Sequence, residues 1–320
     1  MKNKIISDLK ETHGIIIYKA ASVTGGLLNL KWKISTNKGE LLLKQYSTKR
    51  FKSRDRIEKI EEALQRQIIL EKNGLACPFL WQYKDHVLRV LDNETIYMLM
   101  SFEKGKTERP DRITLKQMES LGNTCGLMHR MFSNIPAPEV KDLPTFGGYS
   151  MDLLWNNLKS RKEDCGENVN SEYINILLLI ETILKQLDDN FFSKFQKGYA
   201  HEDFHSGNIL FDENGVTSIV DFDRSCYSYV WHDIGRALLS FALADGKMNL
   251  DKVQAFINGY VKHLPLTFKN VEDALRLTWC IEVVWWIQPE FFEDSCSVIP
   301  KRFRDEILWI GERFFEPLLG

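Results

Sequence analysis

The residues best suited to chemistry lie in one short segment of the chain and in a tripeptide that follows it. The segment reads His201-Glu-Asp203-Phe-His205-Ser-Gly-Asn208, and the tripeptide is Asp221-Phe-Asp223. The Asp203 carboxylate can accept a proton, whereas the Asn208 amide and the Asp221 carboxylate supply hard oxygen ligands of the kind that Mg²⁺ prefers. The pattern therefore predicts a proton acceptor and a divalent-cation site.

The spacing of Asn208 and Asp221 supports a shared cation site. Asn214-Gly215 between two apolar runs is a strong signal for a two-residue hairpin turn. Counting outward from that turn places Asn208 directly opposite Asp221. Opposed residues in an antiparallel pair have Cβ atoms about 4.5–5.5 Å apart, close enough for both side chains to hold one ion.

The order of these residues matches a phosphoryl-transfer template. In that template an Asp accepts the proton of the attacking hydroxyl, and an Asn five residues later, with a further Asp, holds magnesium on the nucleotide phosphates. Asp203 lies five residues before Asn208, although the arginine of the template is absent. The alternative, that these polar residues only form turns and helix caps, leaves their joint spacing unexplained.

The pattern H-x-D-x-H-x-G-N-I-L with a later D-x-D resembles the aminoglycoside phosphotransferase and choline kinase superfamily, small-molecule kinases with a kinase-like fold. The resemblance implies that Asp203 is the catalytic base and that His201 and His205 order the catalytic loop. It also implies that Asn208 and Asp221 bind Mg²⁺, with ATP as the phosphoryl donor.

Two residues of this chain, Glu202 and Asp223, differ from the motifs of related kinases. Glu202 stands where the family usually has a small residue, often glycine, which leaves the loop shape open. Asp223 replaces the glycine of the protein-kinase D-F-G, and no A-P-E segment follows, so a protein kinase is disfavoured. Nearby, Asp233 is predicted to cap a helix, and His129 to be a packed core histidine.

Lys44 is the candidate phosphate-binding lysine, because it lies on an apolar strand directly after Leu41-Leu42-Leu43 and needs a partner or an anion there. The template pairs such a lysine with a Glu of the following helix, whereas an edge-strand lysine facing water is the alternative. Steps of about 100° per residue place Glu61 about 40° from Ile57, on the core-facing side of that helix. Glu61 is therefore the predicted partner, although a solvated Glu at the boundary fits equally well.

Other nucleotide contacts are predicted at a glycine pair and at the end of the last early strand. Gly25 and Gly26 let backbone amides approach phosphate, although a plain hairpin turn accounts for them equally. Ser101 and Phe102 resemble the hinge whose backbone holds adenine, with ordinary core packing as the alternative for Phe102.

The elements that must position these residues fall into two regions. Strands are predicted over 14–23, 27–35, 40–46, 86–91 and 95–102, with a helix over 54–73. Helical periodicity continues over 115–132, 173–192, 233–244, 250–263, 271–287 and 302–315. The pattern predicts an α+β chain, and the resemblance implies a two-lobed protein-kinase-like fold. The small β-rich lobe, residues 1–103, would bind nucleotide, and the larger mainly helical lobe, residues 104–320, would carry catalysis and the acceptor.

Composition excludes several other classes of protein. The chain has 42 Lys+Arg and 44 Asp+Glu, a net charge of −2, which argues against nucleic-acid binding. Its six cysteines are scattered, with no C-x-x-C pair. No apolar run reaches about 18 residues, and the charged N-terminus lacks a signal-peptide core. A cytoplasmic protein without membrane contact is expected, and its oligomeric state is not predicted.

The acceptor is the least determined part of the prediction. Residues 265–320 hold ten acids and six bases, and Trp279, Trp285 and Trp286 lie on one late helix. Both features favour a cationic acceptor, although surface solvation and core packing explain them too. The prediction is a Mg²⁺-dependent phosphotransferase that moves the γ-phosphoryl of ATP to a hydroxyl of a small molecule, such as an amino sugar or amino alcohol. The alternative is a kinase-fold binding or structural protein, like spore-coat proteins that resemble this superfamily, with little or no catalysis.

Overall fold

The computed structural model describes residues 3–23, 29–47, 54–92, 95–139, 149–165, 170–188, 190–293 and 296–320. The helices are α1 (Asn3–His13), α2 (Arg54–Lys72), α3 (Leu115–Phe132), α4 (Met151–Glu163), α5 (Ser171–Gln186), α6 (Trp231–Phe241), α7 (Leu250–Tyr260), α8 (Phe268–Trp286) and α9 (Val298–Gly311). The strands are β1 (Ile17–Ser22), β2 (Leu30–Thr36), β3 (Gly39–Tyr46), β4 (Arg89–Asp92), β5 (Thr95–Ser101), β6 (Lys197–Ala200), β7 (Ile209–Phe211), β8 (Val216–Ile219), β9 (Cys226–Tyr229), β10 (Leu243–Ala244) and β11 (Lys247–Met248). The predicted α+β class is confirmed.

The chain divides into two compact units. The first comprises Met1–Thr107, Asn208–Asp212 and Val216–Ser225, and the second comprises Glu108–Gly207, Glu213–Gly215 and Cys226–Gly320. The strands of the β7–β8 hairpin thus belong to the first unit, although they come late in the sequence. The lobes predicted at 1–103 and 104–320 stay a prediction.

An antiparallel sheet of order β1-β2-β3-β5-β4 forms the first unit's framework. Alternation along β3 buries Leu41 and Leu43 in the cluster that contains Ile5 of α1. The opposite face carries Tyr46, which packs with Ile60 of α2. Lys44 alternates with Leu43, so the strand pleat places it on the same face as Tyr46.

Helix α1 is absent from the sequence prediction, which treats the first residues only as a charged segment. Ile5 and Leu9 are its fully buried apolar residues, one helical turn apart, and they pack under the sheet. Three apolar residues in eleven, of which Ile6 is exposed, are too few to produce a clear helical period. Helix α4 was also not predicted, and its buried apolar residues, Met151, Leu154 and Leu158, are similarly few.

The second unit is mainly helical, and its described residues include two short strand pairs. Helix α3 begins with a capping box at Thr114 and Gln117. It packs closely against α7, where a Cβ at Gly259 would overlap the carbonyl oxygen of Glu119. Strands β6 and β9 pair antiparallel, with Ala200 opposite Cys226. The segment that begins at His201 therefore leaves directly from an ordered strand.

Within the described residues, no helix combines the length and the apolar character that crossing a membrane requires.

Candidate active site

Lys44 lies at the centre of a charged cluster within the first unit. Its side chain is 2% exposed, and its Nζ lies 2.5 Å from Asp221 Oδ1 and 2.5 Å from Asp223 Oδ2. The Tyr46 hydroxyl donates to Asp223 Oδ1 at 3.0 Å. Lys31, opposite Lys44 in the β2–β3 register, places its Nζ 3.2 Å from Asp221 Oδ2. Two ammonium groups therefore face two carboxylates.

Electrostatics keep the buried lysine charged. Burial would lower the pKa of Lys44, but the Asp221 and Asp223 carboxylates reverse that effect and hold the pKa above its ordinary value. Burial also raises the pKa of Asp223. Because β3 lies between β2 and β5 in the sheet, Lys44 is not an edge-strand lysine facing water. A lysine held in this way stays a cation and can bind phosphate oxygens.

The predicted pair between Lys44 and Glu61 is wrong. The Glu61 carboxylate instead accepts hydrogen bonds from the backbone amides of Val87 and Leu88, at 2.9 and 2.8 Å. It also accepts from the Gln65 amide at 2.8 Å. Glu61 does face inward from α2, as the helical period indicates. Its carboxylate binds the backbone that leads into β4, and the Lys44 ammonium pairs with Asp221 and Asp223 instead.

The hairpin that carries Asn208 has a longer turn than predicted. Phe211 pairs with Val216, so residues 212–215 form the loop, and the register shifts between Leu210 and Phe211. The Val220 amide donates to the Asn208 carbonyl at 2.9 Å. The predicted pairing of Asn208 with Asp221 is therefore wrong by one residue. The turn is centred one residue earlier than predicted, which shifts the register by two residues, and the bulge takes back one of them.

Asp221 lies just beyond the end of β8, in a left-handed backbone conformation with φ of 69°. The alternation of the strand therefore no longer sets the direction of its side chain. Asn208 is buried and directly precedes β7, at the same open end of the hairpin. An amide oxygen and a carboxylate are the donor chemistry that suits Mg²⁺, which takes few protein ligands alongside substrate phosphates. Among the described residues, no group of three or more His, Cys, Asp or Glu side chains is arranged to hold a metal ion.

The segment around Asp203 is held by backbone hydrogen bonds within the second unit. The Asp203 amide donates to Nδ1 of the buried His201 at 3.3 Å, and the Gly207 amide donates to His205 Nδ1 at 3.0 Å. The His205 amide donates to the Asp203 carbonyl at 3.0 Å. His205 Nε2 lies 3.7 Å from Asp203 Oδ2. Both histidine rings thus accept loop amides, and the Asp203 side chain remains partly exposed.

Asp233 and His129 are the principal residues that the sequence analysis missed as parts of this site. Fully buried Asp233 accepts the amides of His201 and Glu202 at 2.7 and 2.9 Å. His129 Nε2 lies 3.1 Å from Asp233 Oδ2, and its Nδ1 lies 2.9 Å from the Tyr260 hydroxyl. Burial would raise the pKa of Asp233, but His129, His201 and the loop amide hold it below its ordinary value. The sequence showed Asp233 at a helix start, yet it binds the loop instead of capping α6.

The remaining nucleotide-binding residues, the glycine pair and Ser101 with Phe102, stay predictions. Gly25 and Gly26 lie outside the described residues. The Ser101 amide donates to the Phe79 carbonyl at 2.9 Å, and the Phe102 amide donates to the Glu40 carbonyl at 3.3 Å. Both backbone amides are therefore engaged within the protein.

Comparisons with known proteins place these residues in context. Residues 19–266 match the phosphotransferase enzyme family. The chain is 22% identical over 264 residues to homoserine kinase of Rhizobium meliloti (strain 1021), covering 82% of this chain and 75% of that protein. It is 24% identical over 264 residues to homoserine kinase of Rhodopseudomonas palustris (strain BisB18), with the same coverage.

Solved structures show the same fold. An amicoumacin kinase in complex with AMP-PNP, Ca²⁺ and Ami superposes with a TM-score of 0.63 at 17% identity, covering 96% of each chain. Choline kinase from Cryptosporidium parvum Iowa II gives a TM-score of 0.63 at 15% identity, covering 99% of this chain and 98% of that one. The predicted kinase-like fold is thereby confirmed.

Proposed function

Because the chain belongs to the phosphotransferase enzyme family, we propose that it transfers the γ-phosphoryl group of ATP to a hydroxyl group of a small molecule. The observation that carries the proposal is the Lys44–Asp221–Asp223 cluster, in which a buried lysine that stays charged meets two carboxylates at 2.5 Å. A structural protein has no need to hold such a cation at the strand position where the template places its phosphate-binding lysine.

Each part of the proposed reaction falls to a named side chain. Asp203 orients the acceptor hydroxyl and takes its proton. Lys44 binds phosphate oxygens, and it exchanges part of its contact with Asp221 for them. Such a transfer depends mainly on positioning and on electrostatic stabilisation, because the protein forms no covalent bond to the phosphoryl group.

Asn208 and Asp221 are the residues that would hold Mg²⁺ in this proposal. The bound ion would neutralise charge on the phosphates during transfer. Since Lys31 and Lys44 both contact Asp221, metal binding at that carboxylate and lysine binding to the phosphates are coupled.

The acceptor proposed is a hydroxyl compound that also carries a cationic nitrogen. The curated relatives are homoserine kinases, and one structural neighbour is a choline kinase. Homoserine and choline both combine a hydroxyl with a charged nitrogen. An amino sugar has the same combination. The proposal therefore specifies the chemical class of the acceptor and leaves the individual compound to the screen.

Thermal unfolding with and without ATP and Mg²⁺ tests the nucleotide site. ATP at about a hundred times its Kd should stabilise the chain by about 2.7 kcal/mol. The stabilisation should require Mg²⁺ in the wild type and should disappear in Asp221→Ala. Asp245→Ala, at an exposed turn, is the matched control and should behave as the wild type.

A screen of homoserine, choline, ethanolamine and kanamycin for ADP release then tests the acceptor class. Turnover with any of them supports the proposal. The absence of both a nucleotide shift and turnover would favour a kinase-fold binding protein instead.

A further inference from the structure

Glu202 occupies an unusual position directly before Asp203. Its φ is 64°, a left-handed conformation that residues with side chains rarely adopt. Its side chain is nonetheless 4% exposed, so the loop buries a carboxylate at a strained backbone position. Buried charges need compensating partners, and those partners form a connected set.

The compensation begins at His232 of α6. Its Nδ1 lies 3.5 Å from Glu202 Oε1, and its Nε2 lies 2.9 Å from Glu282 Oε1. The Tyr149 hydroxyl donates to Glu202 Oε2 at 3.1 Å. Burial would lower the pKa of His232, but Glu202 and Glu282 raise it to about 10. At neutral pH an imidazolium therefore lies between two buried carboxylates.

The ion pairs continue across three helices. Arg236 donates to Glu282 Oε2 at 2.6 Å and also pairs with Glu306 of α9. Glu306 Oε1 accepts from Arg302 Nε at 2.8 Å. Arg302 Nη1 donates to Ser206 Oγ at 2.9 Å. Ser206 belongs to the same loop as Glu202, so the chain of contacts starts and ends on the segment that carries Asp203.

The charges along this path balance. Three carboxylates (Glu202, Glu282 and Glu306) alternate with three cations (His232, Arg236 and Arg302). Ion pairs of this kind are seldom more stabilising than well-packed apolar side chains of the same volume, but removing one partner is costly. Such a network is better suited to specifying one loop conformation than to adding stability.

We propose that the ion chain from Glu202 through His232, Glu282, Arg236, Glu306 and Arg302 to Ser206 is a positioning device for the loop that carries Asp203. Glu202 and His232 are its key positioning residues. They fix the backbone on one side of Asp203, and Arg302 fixes it on the other through Ser206. This inference rests on the proposed function for the role of Asp203, but the coupling between the two ends of the loop can be measured independently.

A rescue experiment tests the coupling. In His232→Gln, Glu202 and Glu282 lose the cation between them. The amides of residues 201–207 should then exchange with solvent about tenfold faster. Glu282 keeps its pair with Arg236, so Glu202 is the carboxylate left without a cation. Adding Glu202→Gln removes that carboxylate, so the double variant should regain most of the protection. A double variant that exchanges as fast as His232→Gln, or faster, overturns the proposal.

Activity provides a readout that a merely structural role would not change. With ATP and the acceptor found in the screen, or with slow ATP hydrolysis by water, kcat of His232→Gln should fall about 100-fold, while KM for ATP stays within about twofold. The double variant should recover much of kcat. Equal changes in kcat and in the KM for ATP would contradict positioning.

Arg302, at the other end of the ion-pair network, supplies a variant that does not endanger folding. Arg302 is 38% exposed, and Arg313, 40% exposed just after α9, lies outside the network and is its matched control. Arg302→Met should accelerate exchange at residues 203–207, and Arg313→Met should not. Equal exchange in the two variants contradicts the inference. Because these measurements need no nucleotide, a missing ATP shift would count against the proposed function alone.

Discussion

The ammonium of Lys44 and the carboxylate of Asp221 lie 2.5 Å apart, although 177 residues separate them in the chain. The candidate phosphate-binding cation and the candidate metal ligand are thus ion-paired with each other within one unit. Under the proposed function, nucleotide and metal would compete with this pair, so replacing either partner is expected to change both ligand binding and the stability of the fold.

Replacing Lys44 by Met should destabilise the fold by about 3–5 kcal/mol, because the buried Asp223 then loses its cation. Urea denaturation measures the change. Asp223→Asn in the Lys44→Met background should recover part of the loss, since it removes the unpaired carboxylate. A Lys44→Met variant as stable as the wild type would contradict the buried ion pair.

Replacing Lys31 by Met should weaken Mg²⁺-dependent ATP binding by about tenfold, because one of the two ammonium groups beside Asp221 is lost. The effect on stability should be small, because this ammonium is only partly buried. Isothermal titration with ATP and Mg²⁺ gives the affinity. Lys38→Met, at the exposed turn between β2 and β3, is the control and should bind normally. Equal affinities in the two variants would show that Lys31 has no part in phosphate binding.

Asp203→Asn should lower kcat by about 10²–10⁴-fold, because the amide cannot accept the hydroxyl proton. The thermal shift produced by ATP and Mg²⁺ should remain, since the variant keeps Lys44 and Asp221. ADP release and thermal unfolding, measured on the same preparation, separate the two effects. Unchanged turnover would remove Asp203 from the role of base.

The contribution of His232 to stability should depend on pH in a defined direction. Its pKa is raised from 6.5 to about 10, so its stabilising contribution is complete below pH 6.5 and is lost as pH rises through about 10. The difference in unfolding free energy between wild type and His232→Gln should therefore be larger at pH 6 than at pH 10. Urea denaturation at both pH values measures it. A difference that grows with pH would show that His232 is neutral in the fold.

The sequence by itself determined most of the strands and helices, and it predicted which side chains carry the chemistry. The predicted helix over 54–73 corresponds to α2, and the strand over 95–102 corresponds to β5, within one residue at each end. Period and turn residues are local properties, so they can be read from neighbouring positions. Helix α1 was missed where that local signal was weak.

Only the tertiary structure decided which residues meet. The helical period placed Glu61 on the inner face of α2. It did not show that Lys44 would form its ion pairs with two aspartates instead of Glu61. An earlier turn together with a bulge placed Asn208 opposite Val220, and the Asn214-Gly215 signal reports neither of them. The sequence placed Asp233 as a helix cap, whereas in the fold its carboxylate accepts the amides of His201 and Glu202. Ion pairs and registers depend on how distant elements pack, and that packing has no local signature in the sequence.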